Sequence, residues 1–100
     1  MKVIWSERAR IQAREIFEYI AEDRPMAAER ILDGFLKRVD LLLEFPEQGA
    51  VWEITPRSDL RFIIFESYRL VYRLSADEIA VLSVRHTRRQ REEPPTDSQI

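Results

Sequence analysis

One histidine and a group of arginines carry most of the chemical potential of this 100-residue chain. Between residues 57 and 91 stand Arg57, Arg61, Arg69, Arg73, Arg85, Arg88, Arg89 and Arg91, eight cations against the four carboxylates of Asp59, Glu66, Asp77 and Glu78, whereas the whole chain has a formal net charge of −2. A cationic segment inside a slightly acidic chain is an electrostatic footprint for an anionic partner: nucleic acid, a nucleic-acid enzyme or an acidic protein segment. Two kinds of chemistry fit. Cleavage of RNA through its 2′-hydroxyl needs a base, an acid and fixed positive charge on the phosphate. Histidine is the side chain whose unperturbed charge change lies nearest neutrality, so His86 is the candidate acid or base, with Arg61 and either Arg69 or Arg85 as phosphate holders. Spacing alone places no second titratable group beside His86; Tyr68 and Glu66 on the adjoining hairpin are the candidates. The other reading is binding without chemistry, the arginines serving as interface anchors. Arg69 and Arg73 then also fit a solvated strand face paired with glutamates, and His86, sharing a strand face with Leu82 and Val84, also fits a hydrogen-bonded structural role.

Composition removes several alternatives. The chain has no cysteine, so neither a disulfide framework nor a cysteine-based zinc site is available, and the sequence suits a reducing compartment. Two glycines leave no phosphate-cradling loop, and no serine sits in a nucleophile elbow. Neither a metal nor a cofactor is expected. No apolar run approaches the length of a bilayer span, and the first residues lack the apolar core of a signal peptide. A soluble, cytoplasmic protein without membrane contact is expected.

The elements that must position these residues follow from periodicity. Val3-Ile4-Trp5 favours a short strand, and Ser6 is a good N-cap for a helix over Glu7 to Glu22 with an apolar stripe at Ala9, Ala13, Ile16, Phe17 and Ile20. Asp23-Arg24-Pro25 breaks this helix and opens a second, about Pro25 to Glu44, with Ala28, Ile31, Leu32, Phe35, Leu36, Val39, Leu42 and Leu43 on its apolar side. Gly34 in mid-helix suggests a close helix crossing. Ile11 and Tyr19 on the first helix, and Leu41 and Phe45 at the end of the second, fall off the stripes and are candidate contact patches as well as ordinary surface apolars. Pro46 and Gly49 end the helical region. Strands are then expected over Val51 to Thr55, Leu60 to Phe65, Tyr68 to Leu74 and Ile79 to His86, pairing as an antiparallel meander. The fold class is α+β: an N-terminal short strand and a two-helix hairpin packed on a three- to four-stranded antiparallel sheet. One domain is expected over residues 1–91, followed by a flexible, acidic, proline-containing tail over 92–100.

Particular stretches carry a family likeness. These are Ala9 through Tyr19-Ile20-Ala21-Glu22-Asp23, then Pro25-Met26-Ala27-Ala28-Glu29-Arg30, and Phe45-Pro46-Glu47-Gln48-Gly49. Further on come Leu60-Arg61, Tyr68-Arg69-Leu70-Val71-Tyr72-Arg73, and Ile79 through His86 followed by Arg88-Arg89. In this order and spacing, over residues 2 to 91, the chain resembles the RelE/ParE superfamily of toxins from type II toxin–antitoxin systems, and more closely its ParE branch. The resemblance implies a small bacterial toxin neutralised by a cognate ParD-like antitoxin whose C-terminal segment folds against it. ParE-like members poison DNA gyrase; RelE-like members cleave messenger RNA on the ribosome. Arg61 and His86 match positions used by the nuclease members, but their lysine cluster is absent, Lys2 and Lys37 being the only lysines. The expectation is therefore a gyrase inhibitor that is not an enzyme and does not by itself bind specific DNA sequences. Its target-binding surface would be Arg61, Arg69, Arg85, His86, Arg88 and Arg89. Its antitoxin would lie along Ile11, Tyr19, Leu41 and Phe45 and reach Arg73. The alternative is a ribosome-dependent endonuclease using Arg61 and His86.

Overall fold

Ser6 joins the first strand to the first helix and ties both to the centre of the sheet. Its hydroxyl accepts the Ala9 N–H at 3.0 Å, capping the helix, and donates to the Leu82 carbonyl at 3.2 Å. The computed structural model describes residues 1–88. Along them run β1 (Lys2–Trp5), α1 (Glu7–Ala21), α2 (Pro25–Leu41), β2 (Ala50–Ile54), β3 (Asp59–Phe65), β4 (Tyr68–Leu74) and β5 (Glu78–His86). The expected tail over 92–100, and also Arg89 and Arg91 of the expected domain, lie outside the described residues.

The α+β class holds, with a larger sheet than expected. Five strands are arranged β1-β5-β4-β3-β2; β2 to β5 form the antiparallel meander, and β1 joins its far edge parallel to β5, Val3 opposite Ile79 and Trp5 opposite Val81. Apolar residues on alternate positions of β1 account for this: Val3 and Trp5 pack against the helix-side core. Both helices lie on one face, where Ala9, Ala13, Ile31, Phe35, Val39 and Leu42 meet Ile63, Leu70, Tyr72, Ile79, Val81 and Val84.

Helix α2 stops at Leu41 rather than Glu44. Its last turn tightens into three-residue bonds, Leu42 N–H to Val39, Leu43 N–H to Asp40 and Glu44 N–H to Leu41, while Leu42 stays fully buried. The close approach at Gly34 is made by the sheet and not by another helix, since a Cβ there would collide with the Phe65 ring of β3.

Candidate functional site

A single bulge decides which way the candidate residues face. Val71 of β4 pairs with Ser83 of β5, but the next residue, Tyr72, pairs with Val81, so Leu82 is passed over. The core-facing positions of β5 therefore change parity, Ile79 and Val81 before the bulge and Val84 and His86 after it. A regular strand would have sent His86 to the open face and Arg85 toward the helices. The strand-face partnership of His86 with Leu82 expected from the sequence accordingly holds only for Val84.

On the helix face at this end, His86 stands across from Tyr68, their rings edge to face with centroids 5.4 Å apart. Tyr68 is held in turn by Phe35 at 5.4 Å, and Phe35 by Phe65 at 5.8 Å, each again edge to face. Helix α1 supplies the other wall of the groove with Gln12, Glu15, Ile16 and Tyr19. These share one side of the helix by their i, i+3, i+4 and i+7 spacing, a signal present in the sequence that reading only the apolar stripe missed. Gln12 Oε1 accepts the Val84 N–H at 2.8 Å and fixes the helix to the strand. His86 Nδ1 accepts the backbone N–H of the exposed Arg88 at 3.1 Å. Burial, then the Glu66 carboxylate and the Tyr19 phenol, raise the Tyr68 phenol above its ordinary value, so it stays protonated.

Of the sheet's arginines, Arg85 also lines this groove. Arg69 and Arg85 stand directly opposite one another on β4 and β5, at positions alternate to Tyr68 and His86. The Arg69 guanidinium lies 5.1 Å from the Phe62 ring and 5.7 Å from the Trp52 ring, and its buried Nε has no hydrogen-bond partner. Aromatic faces hold this cation. Arg73 pairs with Glu78 at 3.0 Å.

Arg61 faces the helix side but sits at the far end, opposite Tyr72, while His86 is opposite Tyr68. Four residue steps along β4 separate them, roughly 13 Å at the strand rise. Its side chain is only 12% exposed and its donors are engaged: Asp59 takes two bonds at 2.8 and 3.1 Å, and the Glu47 and Gly49 carbonyls take one each at 3.1 Å. Beside it, the Tyr72 hydroxyl donates to the Pro46 carbonyl at 2.7 Å and accepts the Gly49 N–H at 3.0 Å. A Cβ at Gly49 would fall 2.6 Å from that hydroxyl, which is why glycine stands there. Arg61 and Tyr72 thus clamp the loop between α2 and β2. Of the six residues expected to form the target surface, the structure brings together Arg69 with Arg85 on one face and His86 with Arg88 at the strand end; Arg61 stands apart, and Arg89 lies outside the described residues.

The residues expected to meet an antitoxin are exposed but scattered. Tyr19, 78% exposed, borders the His86 groove, whereas Phe45, 60% exposed, lines a cleft with Met1, Pro46 and Leu74 at the opposite end of β4. The length of that strand, about 20 Å, lies between them. Ile11 and Leu41 are exposed as well, and Arg73 is engaged by Glu78 on the other face of the sheet. A more continuous apolar surface is a groove of about 490 Å³ in which Trp5, Ala13, Phe17, Leu32 and Leu36 form the walls and Arg10 and Arg14 the rim. Sequence reasoning had assigned its apolar residues to the core.

Among the described residues, no group of three His, Cys, Asp or Glu side chains is placed to hold a metal, and no helix is long and apolar enough to cross a membrane.

A helical hairpin laid across one face of a mostly antiparallel sheet has the architecture of a small toxin of toxin–antitoxin systems. The model of the ParE toxin of the type II toxin–antitoxin system parDE matches residues 3–91, and the chain belongs to this family. It is 27% identical over 88 residues to Toxin RelE2 of Caulobacter vibrioides, covering 88% of this chain and 97% of that one. It is 33% identical over 89 residues to Putative toxin Y4kP of Sinorhizobium fredii, covering 89% and 91%. A solved chromosomal ParDE toxin–antitoxin system from P. aeruginosa shares the fold with a TM-score of 0.70 at 20% identity, over 86% of this chain and 95% of that one.

Proposed function

We propose that this ParE-family toxin acts by binding, that its target is DNA gyrase in the cytoplasm, and that a ParD-like antitoxin neutralises it by direct contact. The observation that carries the reading of binding without catalysis is the placement of Arg61 and Arg69 away from His86. The groups suited to proton transfer, His86 and Tyr68, face α1, while Arg69 is held on the other face against Phe62 and Trp52 and Arg61 is locked into its own loop at the far end. A phosphate placed on His86 would meet Glu15 as well as Arg85, and neither Arg61 nor Arg69 is placed to reach it, which opposes stabilisation of a phosphorane-like transition state. The choice of gyrase rests on the family. Purified toxin is expected to block supercoiling by gyrase at micromolar concentration and to cause DNA breaks in cells; full supercoiling activity under those conditions sinks the reading.

The antitoxin's docking follows from the apolar groove. A segment with apolar residues at helical spacing and flanking carboxylates fits Trp5, Phe17, Leu32 and Leu36 with Arg10 and Arg14 at the rim, combining anchoring with charge complementarity. Leu36→Glu is expected to weaken the complex by at least about tenfold, since it buries a charge against an acidic partner.

A second reading, ribosome-dependent cleavage of messenger RNA, is favoured by the contact between Tyr68 and His86, which supplies the neighbour that spacing could not assign. There His86 and Tyr68 would move the protons, and Arg61 would act only through the loop it clamps. Toe-printing of a translated message decides: intact message after incubation with toxin and ribosomes excludes this reading.

A further inference from the structure

The sheet face away from the helices is covered at its centre and bare at its margin. Two cross-strand rows cross its middle: Phe62, Val71 and Ser83, then Leu60, Arg73 and Ala80, with Ile64 and Arg69 paired beside them. On a bare antiparallel face side chains stand up into solvent, and lateral neighbours shield them only in part. Ile64 behaves so, 42% exposed on the outer strands. Val71 and Ala80 do not: they are 2% and 0% exposed, and Ser83 is 4% exposed. The pair of Arg73 with Glu78 shields Ala80 from the side, but no such pair stands beside Val71. None of these three residues belongs to the helix-side core, and both helices pack on the opposite face. Cover of this depth over central strands is what a second layer provides.

One cation of this face is prepared for an anion. The Arg69 guanidinium is held against Phe62 and Trp52, so its position is set by rings and not by a carboxylate. The chain itself carries the anion and the apolar cover. Beyond Arg88, just past the end of β5, come Glu92, Glu93 and Asp97, with Pro94, Pro95 and Ile100 among them. Residues 89–100 reach at most about 40 Å when extended. Ala80 lies back along β5 from His86 by about 20 Å at the strand rise, so the whole face is within reach. Adjacent prolines bring no N–H to leave unpaired against an apolar surface. We propose that residues 89–100 turn back across this face, setting Glu92 and Glu93 on Arg69 and Pro94-Pro95 over Val71 and Ser83. The toxin then holds its own acidic segment on an arginine that an anionic partner would use, and such a partner must displace it. The inference goes beyond the binding reading above and does not depend on which target is bound.

The chain has no cysteine, so Thr96→Cys in the full-length, isotopically labelled protein gives a single site for a nitroxide spin label. Paramagnetic broadening is expected at the amides of Phe62, Val71 and Ser83, and not at Arg30 or Lys37 of α2. Glu92→Gln combined with Glu93→Gln, which leaves every described residue in place, is expected to lower the ratio of docked to undocked segment about tenfold. The Arg69 side-chain Nε–H resonance is expected to move in the same variant. Broadening that is absent, that is equal on α2 and the sheet, or that is unchanged by the double substitution overturns the proposal. So does equal broadening when the spin label sits on a separate copy of the chain mixed with the isotopically labelled one, which would make a second copy the cover. Gyrase takes no part in the measurement, so its outcome and that of the target reading are separate.

Discussion

The two ends of the β4–β5 ribbon use the same residue types for opposite purposes. At the end that holds Asp59, Tyr72 and Leu74, polar groups satisfy one another: Arg61 binds Asp59 and two loop carbonyls, Tyr72 bridges Pro46 and Gly49, and Arg73 meets Glu78. At the end that holds Tyr68 and His86, these two residues with Glu15, Tyr19 and Arg85 line a groove, and Arg69 is stacked on aromatic rings instead of being bonded into the fold. An arginine in this family's pattern is thus not informative by type. What distinguishes a structural arginine from an available one is whether carbonyls and a carboxylate already converge on it.

The largest effect that would test this contrast is expected at Arg61. Arg61→Ala leaves Asp59 and the Glu47 and Gly49 carbonyls without their donor and should lower stability by about 3 kcal/mol, measured by urea unfolding. Gyrase inhibition by the folded fraction should be unchanged. A variant of normal stability that no longer inhibits would move Arg61 into the target surface and break the contrast.

Next in size is Tyr72→Phe, which removes the hydroxyl shared by Pro46 and Gly49 and should cost about 1 to 2 kcal/mol. The same residue gives a pH signature. Burial chiefly, against the lowering effects of the Gly49 N–H and Arg61, raises the Tyr72 phenol above its ordinary value of 10.0. The unfolded chain therefore loses this proton first. The stabilisation is whole below pH 10.0 and is lost as pH rises through the higher folded value. Unfolding free energy should fall as pH rises from 10.0 toward that higher value, and less steeply in Tyr72→Phe; parallel slopes would show that another group is responsible.

The helices, the meander and most strand limits were legible because each depends on local periodicity, caps and turns. Ser6, Pro25 and the apolar stripes announce themselves within a few residues. The parallel seat of β1 was not legible, because pairing between residues 2–5 and 78–81 is set by how the whole hairpin packs. Nor was the bulge at Leu82, which has no residue signature in Ser83 or Val81 yet decides that His86 and Arg85 face as they do. The site suffered accordingly. Residue type and family resemblance pair Arg61 with His86, whereas Gln12 and Glu15 lie in a polar helix face that, by composition, looks like any solvated one.

The smallest expected change in stability offers the sharpest separation of the two ends. Tyr19 makes no hydrogen bond or ring contact among the described residues and is mostly exposed, so Tyr19→Ala should shift unfolding by no more than about 0.5 kcal/mol. Its other effects depend on what the His86 groove does. If the groove receives a partner's side chain, the variant loses affinity for that partner while remaining as stable as the parent, the reverse of Arg61→Ala. If the groove is only the solvated rim of a well-packed helix, stability and binding both stay put. Measuring the two variants side by side, in unfolding and in partner titration, therefore tests whether the division between the ends is one of function or merely of exposure.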